Sequence, residues 1–314
     1  MTAVGNTFFF PWEAAFIEWL QTHLGSAGLA ILSFFSMFGE ELVLLLILGI
    51  VYWGIDKRMG RTVGLTLITG LAWNTMIKSV VMRRRPYFDS ENIKALKLPE
   101  PDADQLDVVA QGWSFPSAHA TNTVSLFGSI AAGIKKRWFT VCVTVICLLT
   151  GLSRVTVGVH YPTDVIAGWL FGIAVLILVP LIEKKIKNRA VSFAVLLILT
   201  APGLFYCNSA DYFTTFGLLV GFMVGIAFDD GFVNFENTKS PIRVALRTVG
   251  GLAVYLAVNT VLKLPFSKEF LENGSRAALM IRCARYAIVS FAVFGIYPMI
   301  FKYTGRIINI KKSK

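Results

Sequence analysis

Charge is what this sequence has least of. Only 16% of its 314 residues are Asp, Glu, Lys or Arg, against 55% hydrophobic residues and a mean hydropathy of +0.64. A soluble domain of this length needs a polar exterior, and so little charge excludes one. Cysteine is sparse as well: Cys142, Cys147, Cys207 and Cys283 mostly lie in or beside apolar stretches, without metal-ligand spacing. They read as small core residues, from which neither a disulfide nor a redox compartment follows. A continuous basic domain is missing too. The net charge of +11 is distributed in short clusters between apolar stretches, the pattern of topology signals rather than of a nucleic-acid-binding face. Gly/Ser-rich linkers, low-complexity segments and internal repeats are absent. The opening MTAVGNTFFF has no basic region before its apolar residues, so a cleaved signal peptide is not expected.

What the chain does have is a succession of apolar stretches near the ~20 residues that a spanning helix needs. They cover about 26–38, 42–55, 62–82, 117–134, 138–153 and 163–182, then 190–206, 213–228, 246–262 and 284–301. Ten spans are predicted, with nine as the alternative, because the first two stretches are short and separated only by Gly39-Glu40-Glu41. Residues 11–24 mix Trp12 and Trp19 with Glu13 and Glu18, which predicts an amphipathic helix lying at the membrane interface. Basic groups after the second, fourth and sixth stretches and in the tail fall on one side, the cytoplasmic one. The linkers 83–116 and 154–162 then face outward. The segment EKKIKNR (183–189) is the one plausible seam, separating six spans from four more.

Charge is costly inside a span, so three clusters at the ends of these stretches require an explanation. The third stretch ends in KSVVMRRRP, with Lys78 seven residues before Arg85 and then Pro86. The fourth opens FPSAHA, with Pro116, Ser117, Ala118 and His119. The fifth runs into SRVTVGVHYPTD, with Ser153, Arg154, His160 and Asp164. Alternation of the spans brings all three clusters to the same outward face, as an active site requires. Lys78, Arg85 and Arg154 are cationic donors suited to a phosphoryl group. Ser117 is a hydroxyl at a helix start, where free backbone N–H groups favour an anion. His160 and Asp164 are four apart and share a face if helical, so that Asp164 holds the imidazole in one tautomer. The other ring nitrogen of His160 is then free to attack phosphorus. His119 would protonate the leaving oxygen and afterwards activate water. The cations stabilise charge on the equatorial oxygens.

These segments resemble the three-part signature of the type 2 phosphatidic acid phosphatase family: K-x6-RP, PS-x-H and SR-x5-H-x3-D. Lys78, Arg85, Pro86, Pro116, Ser117, His119, Ser153, Arg154, His160 and Asp164 occupy all ten fixed positions. The departure is Ala118, where the family usually has Gly; its N–H still donates to phosphate provided the local backbone suits a Cβ. The signature covers 78–164, and the six-span layout extends the resemblance to about 1–189. The fold expected is an all-α polytopic transmembrane bundle, with a six-helix phosphatase core in 1–189 and about four additional spans in 190–314. The extra spans are similar to those of sphingosine-phosphate and dolichyl diphosphate phosphatase types. The resemblance implies a phosphohistidine intermediate and no metal or other cofactor. The expected function is hydrolysis of a lipid phosphate or diphosphate, with the substrate and membrane lipids as partners and no nucleic acid. The expected location is a bacterial plasma membrane, with the active site facing outward. A phosphotransferase using the same site and a non-catalytic lipid carrier are the alternatives. The related vanadium haloperoxidases share the pocket, but their soluble build disfavours that reading.

Outside the signature, Arg83 and Arg84 read as surface or head-group contacts, and Glu40 and Glu41 as a solvated turn or a substrate contact. The acidic linker 83–116 (Asp89, Glu91, Glu100, Asp102, Asp104, Asp107) reads as a solvated loop or a partial cover of the site. Asp229, Asp230 and Glu236 read as cytoplasmic surface residues rather than a metal site. Lys263, Lys268 and Arg276 lie in an expected amphipathic segment, about 263–281, as interfacial anchors or head-group contacts.

Overall fold

A computed structural model of the protein describes residues 5–301. Every predicted apolar stretch is helical. No strand occurs among the described residues, and the isolated bridge there joins Asn6 to Arg83. Among the described residues, six helices are long and apolar enough to cross a membrane: Arg137–Thr156, Pro162–Lys185, Arg189–Tyr206, Ala210–Val233, Pro241–Val261 and Arg276–Phe301. Pro11–His23 and Gly25–Gly39, bent by 118°, make a seventh if they form one broken span. The count by length and apolarity is therefore six or seven rather than ten. Glu41–Ile55 is too short. The helical run 118–134 is interrupted by a π turn at Val124–Gly128, and Lys57–Val81 buries Thr66, Thr69, Asn74 and Thr75.

The distribution of side chains suits lipid. On Pro162–Lys185, Ile166, Leu170, Ile173, Ile177 and Leu181 form an exposed apolar stripe at helical spacing, while polar Thr121, Asn122, Thr123 and Ser125 are buried inside the protein. A continuous apolar stripe of this kind would be unstable in water and is satisfied by hydrocarbon. This is an integral membrane protein.

The chain divides into two compact units. The first holds the described residues up to Leu44 together with Trp73–Leu178, and the second holds Leu45–Ala72 together with the residues from Val179 on. This differs from a division at 189, since residues 45–72 associate with the C-terminal helices. All ten signature residues belong to the first unit. Its core includes Ile17, Leu20, Tyr87, Ile93, Val155, Val159, Tyr161 and Val165, and so packs directly beneath the motif segments.

In the second unit, Gly217 and Gly221 let helix Ala210–Phe228 close onto helix Arg276–Phe291. A Cβ at either position would strike the Cys283 or the Ala287 carbonyl, which is the small-residue contact expected between membrane helices. Asp229 is not a surface residue. It is fully buried and ion-paired to Lys57 at 2.9 Å and Arg61 at 3.0 Å, partners that its own helix does not supply. Asp230 and Glu236 are exposed as expected. The segment expected at about 263–281 is not one amphipathic element, because residues 276–281 already belong to the last long helix. Arg276 there donates to the Cys207 carbonyl at 2.8 Å, while Lys263 and Lys268 are exposed.

Candidate active site

The three motif segments stand at matching helix ends. Lys78 lies in the last turn of Lys57–Val81, and Ala118 and His119 open helix Ala118–Thr123. Arg154 lies in the last turn of Arg137–Thr156, and Asp164 lies in the first turn of Pro162–Lys185. Each end has a local cause. Met82 takes a left-handed φ of 47°, and its N–H caps the Lys78 carbonyl at 2.9 Å, so the helix stops and the chain runs out extended through Arg83 to Arg85. Asp164 accepts the Tyr161 N–H at 2.8 Å, half of a capping box, and Pro162 supplies a pre-set φ at the helix start. Gly158, at φ 78°, makes the turn that returns the chain from Arg154 to His160.

Two of the three cations are held by backbone oxygen. Arg85 donates to the carbonyls of Gln111 at 2.9 Å, Gly112 at 3.1 Å and Val159 at 3.1 Å. Lys78 donates to the Trp113 carbonyl. Arg154 reaches Ser36 Oγ at 3.1 Å, and that hydroxyl also pairs with Ser153 Oγ at 2.9 Å. The linker 83–116 therefore does more than solvate. Most of its carboxylates are exposed, but its 111–113 backbone positions two of the three cations. Pro86 and Pro116 are buried, with the Pro116 carbonyl facing Asn74.

His160 lies just before its helix rather than on it, only 3% exposed, with Nδ1 3.5 Å from Asp164 Oδ2. The pair meets as expected, but not through a helical i,i+4 face, and the separation exceeds a good N–H···O bond. Such contacts often tighten only when substrate binds. Burial, then the charges of Arg85, Lys78 and Arg154, hold the His160 ring well below its usual pKa, so it stays neutral and keeps a lone pair for attack. The charges of Arg85, Lys78 and Arg154, and His119 after them, all act on this one imidazole. Ser117 Oγ, His119 Nε2, Arg154 Nε and His160 Nδ1 are all buried, and none has a hydrogen-bond partner among the described residues. His160 Nδ1 faces Asp164 and His119 Nε2 faces Glu40, which leaves Ser117 Oγ and Arg154 Nε as buried polar atoms suited to a phosphoryl oxygen. Ala118 sits at an ordinary negative φ at the start of its helix, so its Cβ costs nothing there. Among the described residues, no three His, Cys, Asp or Glu gather as metal ligands.

Two residues outside the signature belong to this site. Arg83 is not a head-group contact; it is the most deeply set cation of the unit, 1% exposed. Its guanidinium bonds Asp164 Oδ1 at 2.7 Å, Glu13 Oε2 at 2.9 Å and Thr163 Oγ1 at 2.7 Å, and stacks over Tyr161. Glu13, on the helix predicted to lie at the interface, is fully buried and also accepts from Thr163 N–H at 3.0 Å. Trp12 and Trp19 of that helix remain exposed. Arg84, by contrast, stays near the surface beside Asp89, 3.4 Å away. The available signal for Glu13 is its place on the same helical face as Ile17 and Leu20; nothing local separates Arg83 from Arg84.

Residues 60–188 match the model of the PAP2 superfamily, and residues 213–306 match that of the PAP2 superfamily phosphatase, transmembrane extension. The chain is 29% identical over 144 residues to an undecaprenyl-diphosphatase of Sulfolobus acidocaldarius, covering 44% of this chain and 63% of that protein. It is 30% identical over 103 residues to a lipid A 4'-phosphatase of Bacteroides thetaiotaomicron, covering 32% and 42%. It is 31% identical over 145 residues to a decaprenylphosphoryl-5-phosphoribose phosphatase of Mycobacterium tuberculosis, covering 45% and 72%. The chain thus spans less than two thirds of the first two relatives. No solved structure matches it.

Proposed function

This chain belongs to the PAP2 superfamily, and on that premise we propose that it hydrolyses a lipid phosphate or diphosphate through a phosphohistidine on His160. The reading is carried by a buried His160 beside Asp164, acted on by the charges of Arg85, Lys78 and Arg154, with Ser117 Oγ and Arg154 Nε buried and unpartnered among the described residues. A neutral His160 nitrogen attacks phosphorus, forming the N–P bond as the bond from phosphorus to the leaving oxygen breaks, and His119 gives that oxygen its proton. Water then attacks the phosphohistidine, His119 takes the water proton, the N–P bond breaks, and inorganic phosphate leaves. Lys78, Arg85 and Arg154, with Ser117 Oγ and the Ala118 N–H, stabilise the equatorial oxygens, the charge work that a metal does elsewhere. Pro86, Pro116 and Ser153 support these positions.

The relatives named for undecaprenyl diphosphate, lipid A and decaprenylphosphoryl-phosphoribose favour a membrane-lipid phosphate as substrate. We assign the chemistry to 1–189 and treat 190–314 as additional transmembrane helices. The basic linkers favour a site facing outward, in what we propose is a bacterial plasma membrane; an accessibility map placing 83–116 in the cytoplasm would reverse that orientation. The test is phosphate release by detergent-purified protein from undecaprenyl diphosphate, phosphatidic acid, phosphatidylglycerol phosphate, sphingosine 1-phosphate and glucose 6-phosphate, with and without EDTA. EDTA-resistant release that is lost in His160→Ala is the expected result. Release only with an added alcohol acceptor would make the protein a phosphotransferase, and none from any substrate would favour the carrier.

A further inference from the structure

Resting on that reading, we propose that Glu40 is a positioning residue for His119, aiming its ring and favouring the protonated form that the first half-reaction consumes. Glu40 closes the turn Ser36–Gly39, and its backbone is pinned on both sides: its N–H donates to Met37 O, and its carbonyl accepts from Leu44 N, each at 3.1 Å. Gly39 lies flat against the His119 ring. A Cβ there would come within 2.5 Å of His119 Cδ2 and 2.7 Å of Cγ, so only glycine permits this approach. The Glu40 carboxylate then reaches His119 Nε2 at 3.7 Å and Lys97 Nζ at 2.6 Å. Ser36, of the same turn, holds Arg154 at 3.1 Å. One short turn thus touches both the proposed acid and a phosphate-binding cation.

The electrostatic reason for such a residue lies in what surrounds His119. Burial first, then Arg154 on its helix and Lys97 from the linker, oppose a positive charge there. Glu40 is the carboxylate that faces the ring. Beside His119 and then Lys97 its carboxyl is lowered to about 2, so it is ionised at any working pH and offsets that repulsion. Lys97 shares the same oxygen and tempers its effect.

The test is the pH dependence of kcat/KM for phosphate release by the full-length enzyme, with thermal unfolding as the folding control. Glu40→Gln, which is isosteric, is expected to move the alkaline limb down by about 1 unit or more, the usual effect of losing an adjacent opposite charge. Glu40→Asp should recover part of that shift. Lys97→Met should move the limb the other way, giving an independent readout should Glu40→Gln fold poorly. An active wild type with an unmoved limb in both Glu40→Gln and Lys97→Met would overturn the role of Glu40 alone. A wild type inactive on every substrate would overturn the phosphatase reading, and this one with it.

Discussion

Replacing Arg83 with methionine tests whether a buried ion network, rather than the signature alone, holds the nucleophile in place. In the wild type this guanidinium bridges two carboxylates that are both fully buried, Asp164 at 2.7 Å and Glu13 at 2.9 Å, and also bonds Thr163 Oγ1 and the Phe8 carbonyl. Methionine fills much of the volume but leaves both carboxylates without their cation. Breaking one buried pair in this way costs about 3–5 kcal/mol, most of it the uncompensated charge left behind. At roughly 2–4 °C per kcal/mol in a larger domain, the expected fall in Tm is on the order of 10 °C. Activity should fall as well, because Asp164 borders His160. Arg83→Lys keeps the charge but not the fork that reaches two carboxylates and should lie in between. Adding Glu13→Gln to Arg83→Met should recover part of the loss by removing an orphan charge. The adjacent Arg84→Ala is the control: its partners are Asp89 at 3.4 Å and the Phe88 carbonyl at 3.3 Å near the surface, worth about 1 kcal/mol or less. Thermal unfolding in detergent, followed by tryptophan fluorescence, reads all five proteins. Equal Tm values for Arg83→Met and Arg84→Ala would refute the network argument.

Other perturbations follow from the same structure. Because His160 is held well below its usual pKa of about 6.5, the unfolded chain gains a proton below that pH that the native protein does not. Stability should therefore decline as pH falls below about 6.5, and less so in His160→Gln, as read by Tm against pH. Gly221→Leu places a side chain against the Ala287 carbonyl and should destabilise the second unit by about 1–3 kcal/mol, measured by denaturant unfolding. Ala118→Gly should leave KM nearly unchanged and cost no more than about 1 kcal/mol, since the position is already helical with ordinary φ; a large change in KM would mean that the Cβ contacts substrate.

By itself the sequence determined which residues make up the signature, and it determined where helices run. Both are local properties. The signature is a matter of spacing within short segments, and an apolar run of about 20 residues has helix as its satisfied state in lipid. That the motifs sit at matching helix ends was legible for the same reason. Tertiary structure decided the partners. Arg83 and Arg84 are neighbours of identical type, yet one lies buried between carboxylates 70 and 81 residues away and the other stays near the surface. Glu13, Glu40 and Asp229 each looked like an interfacial or surface acid, and each acquires a basic or histidine partner from a distant segment. Residues 45–72 join the C-terminal helices although the chain order places them with the N-terminal ones. An ion pair is fixed by where two helices end in space, which depends on packing along their full length, and no spacing along the chain encodes that.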